Sequence, residues 1–144
     1  MRIQQILNSK ADQSVVTVSP TMAISDAVKV LARKGIGTVV VSSDGQKPEG
    51  ILSERDIVRE LALRGGTCLF DPVSNYMTEN LKTAGRDDSV DDVLTTMTQG
   101  RFRHMPIVED GVLVGIVTLG DVVKARLAVV AMEKDALEGM IMGH

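Results

Sequence analysis

The chain has 144 residues, 44% of them apolar, and carries a formal charge of −3 with a pI near 5.3. An acidic chain with no tryptophan and only 2% aromatics offers neither the basic footprint nor the stacking platform of a nucleic-acid binder, and no apolar run approaches the roughly 18–20 residues of a membrane span. Cys68, the single cysteine, cannot form an internal disulfide and fits a reducing compartment; Met1-Arg2-Ile3-Gln4-Gln5 lacks a secretory apolar region, so the expected address is the cytoplasm.

In chain order, a strand is expected near residues 15–18. An amphipathic helix follows near 21–34, where Ile24, Ala27, Val28 and Leu31 fall at i, i+3, i+4 and i+7. Strands near 37–42 and 49–53 flank the hairpin signal Asp44-Gly45, and a helix near 54–64 ends at Gly65-Gly66. Asp71-Pro72 opens a short helix through Met77. The same order then recurs: a strand near 81–84, a helix near 89–100, strands near 103–109 and 112–118 around Asp110-Gly111, and a helix near 119–138 that extends toward Met142.

The recurrence is a duplication. Val90, Val93, Leu94 and Met97 repeat the first helix pattern 66 positions on, and Thr17 and Asp26 return as Thr83 and Asp92 at the same separation. Gly50-Ile51-Leu52-Ser53-Glu54-Arg55-Asp56 returns as Gly115-Ile116-Val117-Thr118-Leu119-Gly120-Asp121, now 65 positions on, so one hairpin loop is a residue longer than the other. Each half, at about 65 residues, is marginal for a core of its own. The expected fold is therefore α/β (α+β): two β-α-β-β-α units, residues 1–66 and 67–144, packed through their sheets with pseudo-twofold symmetry and leaving two equivalent grooves where they meet.

Ser53 with Asp56, and Thr118 with Asp121, each end an apolar strand and open a helix. Ser/Thr-x-x-Asp at a helix start is an ordinary capping box. It is also a place to bind a nucleotide, because the first helical amides attract a phosphate and a carboxylate accepts from both hydroxyls of a ribose. The Gly-led strand and the twin favour the binding role; Ser89-Val90-Asp91-Asp92 has neither and reads as a cap alone. Lys82 and Arg86 flank the strand of the second half and extend a basic rim. His104 is the only internal histidine, beside Arg101 and Arg103, with no cysteine or second internal histidine to share a metal, so no metal is expected.

Three features together resemble the tandem cystathionine-beta-synthase-type (CBS) domains of the CBS pair, or Bateman module: Tyr76-Met77-Thr78 before a short strand, Arg103-His104-Met105-Pro106-Ile107-Val108, and the duplicated Gly-x-x-Ser/Thr-x-x-Asp. The resemblance covers roughly residues 3 to 130 and implies a regulatory fold that binds AMP, ADP, ATP, NAD or S-adenosylmethionine and often dimerises into a flat disc of four repeats. It further implies that Thr17, Val18, Thr83 and Ala84 line an adenine pocket, with Thr38, Val39, Met105 and Pro106 as the opposite wall, and that Arg55, Arg103 and His104 face phosphates. By the same likeness, Arg55 serves the groove of Asp121 and His104 the groove of Asp56. The grooves are not identical, since His104 stands where Thr38 does and Gly120 where Arg55 does.

No activated nucleophile or relay points to catalysis. The expected function is a reversible sensor of an adenosine nucleotide, AMP first and ATP or NAD(H) next, passing occupancy to a homodimer interface or an effector protein. The competing expectation is a dimerising adaptor with vestigial grooves. Val122, Val123, Leu127, Val130, Met132, Leu137, Met140 and Ile141 give the last helix more apolar surface than one chain needs, which points to a dimer contact there.

Overall fold

The computed structural model describes residues 1–10 and 14–141. In chain order the elements are α1 (Ile3–Ser9), β1 (Thr17–Val18), α2 (Ile24–Lys34), β2 (Thr38–Val41), β3 (Gly50–Ser53), α3 (Glu54–Arg64), α4 (Val90–Gly100), β4 (His104–Glu109), β5 (Val112–Thr118) and α5 (Leu119–Ile141). Two 3-10 turns, Gly65–Phe70 and Val73–Asn75, join the halves. The expected end of the last helix at Met142 lies outside the described residues.

The first half is a three-stranded sheet in which β1 runs parallel to β2 and β2 antiparallel to β3. β2 is Thr38-Val39-Val40-Val41, four β-branched residues, all buried. The second half repeats the antiparallel pair as β4 and β5. Its expected strand near 81–84 shrinks to a single parallel bridge, Ala84 with Ile107. That bridge is the counterpart of Val18 with Val41 in the first half. Alanine followed by Gly85 has little to hold an extended pair, whereas Thr17-Val18 does. The two hairpins differ as well. Asp110 and Gly111 take φ of 52° and 78°, a tight turn of the mirror-image kind. In the longer first loop the Asp44 carboxylate instead accepts from the amides of Gln46 (2.8 Å) and Lys47 (2.9 Å), which holds its pKa below the ordinary value.

Two apolar cores result. The first gathers Ile24, Ala27 and Leu31 of α2, Val39 and Val41 of β2, and Leu52 and Ile57. The second gathers Val90, Val93 and Met97 of α4 with Met105, Ile107, Val117 and Val122. The amphipathic faces read from sequence are thus the buried faces, except that Val28 is exposed and Leu94 only partly buried.

Each core is completed by a segment that precedes or follows its own strands and helices: α1 for the second, the stretch after α3 for the first. α1, which the sequence pattern did not reveal, packs Ile3, Ile6 and Leu7 into the second core. Val73 packs into the first, with Tyr76 and Met77 against it. The backbone bonds match: Ile3 and Gln4 donate to the carbonyls of Asp88 and Arg86, as Val73 and Ser74 donate to those of Met22 and Pro20. Full burial of each of these aliphatic side chains contributes about 1.5–3 kcal/mol. Both exchanged segments lie close against a glycine of the second hairpin strand. A Cβ on Gly115 would stand 2.8 Å from Leu7 Cδ2, and one on Gly50 would stand 2.6 Å from Met77 Sδ and 3.1 Å from the Thr78 carbonyl oxygen.

Gly50→Ala therefore overpacks the seat of the exchanged segment and should lower the unfolding free energy by about 1–3 kcal/mol. Adding Met77→Ala should return part of that loss, since it removes the crowded atoms. Denaturant melts of the three variants check both statements, and an unchanged midpoint for Gly50→Ala contradicts the seating.

Candidate functional site

Two equivalent strand-to-helix junctions face the seam between the halves. At the first, Ser53 Oγ accepts from the Asp56 amide (3.2 Å) and Asp56 Oδ2 accepts from the Ser53 amide (2.9 Å). At the second, Thr118 Oγ1 accepts from the Asp121 amide (3.0 Å) and Asp121 Oδ2 from the Thr118 amide (2.9 Å). Both are reciprocal capping boxes. Ser89 accepts from the Asp92 amide at 3.0 Å without a return bond.

The cap uses Oδ2 of each aspartate; the further partner takes the other oxygen at Asp56 but shares the cap oxygen at Asp121. Asp56 Oδ1 accepts from Arg59 Nη2 at 2.9 Å, an i,i+3 pair whose arginine side chain is 60% exposed. Such a surface pair contributes about 0–1 kcal/mol and yields readily to a ligand. Asp121 Oδ2, which already takes the Thr118 amide, also accepts from Lys10 Nζ at 3.0 Å, a long-range contact that no local pattern announces.

Ser53 and Asp56 open onto a cavity of about 680 Å³, within the range of small-molecule sites. The first half contributes Thr38, Arg55 and Arg59; the linker contributes Thr78, Asn80 and Lys82; the second half contributes Arg101, Arg103 and His104. Five cationic side chains thus face two carboxylates, Glu54 and Asp56, on a chain whose net charge is negative. A concave, positively charged wall concentrates anions.

Of the residues expected at the site, the cavity brings together Thr38, Ser53, Arg55, Asp56, Lys82, Arg103 and His104. His104 and Asp56 line the same cavity. Arg55 lines this same cavity, although it was assigned to the groove of Asp121. Thr118 and Asp121 lie at the other junction, outside the cavity. Val18, Val39 and Met105 are core residues, Pro106 is buried beside them, Thr17 pairs with Val40, and Thr83 is exposed. Arg59 and Arg101 were passed over, Arg59 as a solvated surface charge, yet both line the cavity. Thr78 was legible as the third residue of Tyr76-Met77-Thr78; it enters the seam because its amide and carbonyl pair with Ile51.

Thr38 and His104 occupy equivalent places in the two halves, and they touch: Thr38 Oγ1 lies 3.4 Å from His104 Nδ1. Equivalent residues meet only where a twofold relates them, so the pseudo-axis passes between these side chains. His104 is held below its ordinary pKa by burial first, then by the charge of Lys10, with Arg103 adding to the effect and Asp121 opposing it. Burial pushes Asp121 up, but the Thr118 amide, Lys10 and the Thr118 hydroxyl outweigh it and leave its carboxyl below the ordinary range. Tyr76 is pushed up to about 12, chiefly by donating its hydroxyl to Asp71.

The CBS-domain family model matches residues 6–63 and 73–128. A CBS-domain containing protein from Agrobacterium tumefaciens is 41% identical, with a TM-score of 0.81 over 88% of this chain and 99% of its own. A CBS domain pair solved in complex with 5′-methylthioadenosine and S-adenosyl-L-methionine is 26% identical, with a TM-score of 0.76 over 89% of this chain and 97% of its own. A CBS domain protein from Pyrobaculum aerophilum, complexed with AMP, is 25% identical, with a TM-score of 0.73 over 84% of this chain and 89% of its own. With its two halves matched in turn and its architecture shared with these structures, the chain belongs to the CBS-domain family and is built as a pair of CBS domains.

Proposed function

We propose that this CBS pair is a regulatory sensor of a phosphate-bearing adenosine nucleotide, bound in the Asp56 cavity. The observation that carries the reading is the composition of that cavity: a ribose-competent carboxylate at a helix start, surrounded by Arg55, Arg59, Lys82, Arg101 and Arg103. Asp56 accepts from the ribose hydroxyls once Arg59 swings aside, and the guanidinium groups take the phosphate, where planar bidentate contacts are strongest. The complexes of related CBS proteins with AMP and with adenosine-containing sulfur compounds support an adenosine ligand. The five cations select among such ligands. They favour AMP, ATP or NAD(H) and oppose the positively charged sulfonium of S-adenosylmethionine.

The walls of the cavity come from both halves, so a ligand that binds them together favours one relative placement of the halves over another. The outer surface offers a way to read this. Val58 and Val123 occupy equivalent places on α3 and α5 and are both exposed, as are Val28, Leu127 and Val130. We assign this apolar strip, repeated on the two halves, to a homodimer contact. Regulation without catalysis is the proposed role.

Three outcomes follow. Calorimetric titration should show AMP or ATP binding, with Asp56→Ala weakening it by about 1–3 kcal/mol through loss of charge-assisted hydrogen bonds; a flat response to AMP, ADP, ATP, NADH and S-adenosylmethionine favours the adaptor reading instead. Leu127→Glu should convert a dimer to a monomer in light scattering after size-exclusion chromatography, and an unchanged mass removes the α5 contact. In an NMR titration the His104 midpoint should lie below 6.5, and bound AMP should raise it, because phosphate stabilises the imidazolium. A folded-state pKa below the unfolded one means that stability is fully present above about pH 6.5 and is lost as pH falls toward the folded value. A His104 midpoint that ignores AMP places the phosphate elsewhere.

A further inference from the structure

The two junctions share sequence pattern and cap geometry, yet the partners of their aspartates differ in origin. Asp56 is paired with Arg59 from the same helix, on an exposed side chain. Asp121 is paired with Lys10, which reaches it from the far end of the chain. Lys10 Nζ donates both to Asp121 Oδ2 and to the carbonyl of Ile116, each at 3.0 Å, and its side chain is only 25% exposed. The matching carbonyl in the first half, that of Ile51, takes the backbone amide of Thr78 instead.

Lys10 is held in place by its attachment. It follows directly on α1, whose Ile3, Ile6 and Leu7 are locked in the second core. The exchanged segment of the first half matches α1 at a separation of 70, because Val73 and Ser74 donate to Met22 and Pro20 as Ile3 and Gln4 donate to Asp88 and Arg86. Counting on from there, the residue that falls where Lys10 does is Asn80. Asn80 is uncharged and lines the open cavity. One groove is thus offered a neutral amide and the other an ammonium on its carboxylate.

We propose that Lys10 is a built-in occupant of the Asp121 groove, which makes the chain a single-site sensor that binds one nucleotide, at Asp56, rather than two. This rests on the nucleotide reading of the Asp56 cavity. A ribose is a neutral donor, and for its diol to engage both oxygens of Asp121 it must displace from Oδ2 a charged donor that is already bonded to two acceptors and tethered to a buried helix. At Asp56 it displaces only an exposed arginine that can turn away into water. The duplication built two similar junctions, and a single cation from the N-terminal segment separates their roles.

Calorimetry on the full chain with AMP as the probe tests this. Wild type should bind one AMP per chain, and Lys10→Met should bind two. Lys10→Arg, which keeps the charge, should remain at one, and Lys10→Met with Asp121→Asn should return to one. Lys10→Gln carries the same expectation as Lys10→Met should the latter fail to fold. Two sites in wild type, or one site in both neutral variants, overturns the proposal. A carbon-13 titration of the Asp121 carboxyl needs no nucleotide: replacing Lys10 by Met should raise its midpoint, and an unmoved midpoint overturns the proposal even if AMP binds nowhere. Absence of AMP binding together with a raised Asp121 midpoint counts against the nucleotide reading and leaves the Lys10 contact standing.

Discussion

Leu7 and Val73 sit in cores that belong, by sequence position, to the other half of the chain. This exchange is the constraint from which the rest of the structure follows. A unit of about 65 residues buries too little surface to be comfortably stable alone. Here neither unit closes its core without a segment from elsewhere, so the halves fold as partners. The two glycines that begin matched segments, Gly50 and Gly115, are where the exchanged chains come closest. Their lack of a side chain is a packing requirement, and it explains why glycine leads both copies of the motif.

The exchange also builds the seam. By pulling residues 73–78 across the first half, it lays Thr78 beside Ile51 and carries Asn80 and Lys82 into the wall of the Asp56 cavity. By pulling α1 across the second half, it brings Lys10 to Asp121. The same topological device therefore supplies the Asp56 cavity with lining and the Asp121 carboxylate with a cation. Near the pseudo-axis the electrostatics of the two are joined, since Lys10 and Asp121 act on His104 with opposite sign while His104 faces the open cavity.

Much of this was legible in the sequence because repetition converts weak local patterns into strong ones. Ser53 with Asp56 is a common spacing; its return as Thr118 with Asp121, each after a Gly-led apolar strand, located both junctions. The helical faces of α2 and α4 were legible for the same reason. What escaped was whatever the repeat did not contain. α1 has too few residues for a periodic signal, and its match to the linker falls at a separation of 70, where the rest of the duplication runs at 66 or 65. Lys10 was invisible because a long-range ion pair leaves no local mark. The strand near 81–84 was expected because the first half has one, yet Ala84-Gly85 replaces Val18-Ser19 and sustains only a bridge. Val18, Val39 and Met105 are buried in the cores, as their apolar character leads one to expect, and the pocket-wall role rests on the family likeness alone.

A duplicated domain begins with two equal sites, and a ligand that fills both acts alike on the two sides of the pseudo-axis. Filling one of them permanently changes what the pair can report. The ligand's interaction energy then acts on one side of the pseudo-axis only, and the relative placement of the halves is pulled in one direction instead of being balanced by a second molecule. The Lys10 contact also offsets the Asp121 charge near the axis. With Lys10 bound to Asp121, the second groove presents a neutral pair to His104, and the positive wall of the first groove remains the dominant field that an incoming anion meets. On this proposal, one lysine delivered by a short helix adds to the asymmetry that Arg55 opposite Gly120 and His104 opposite Thr38 already give the scaffold.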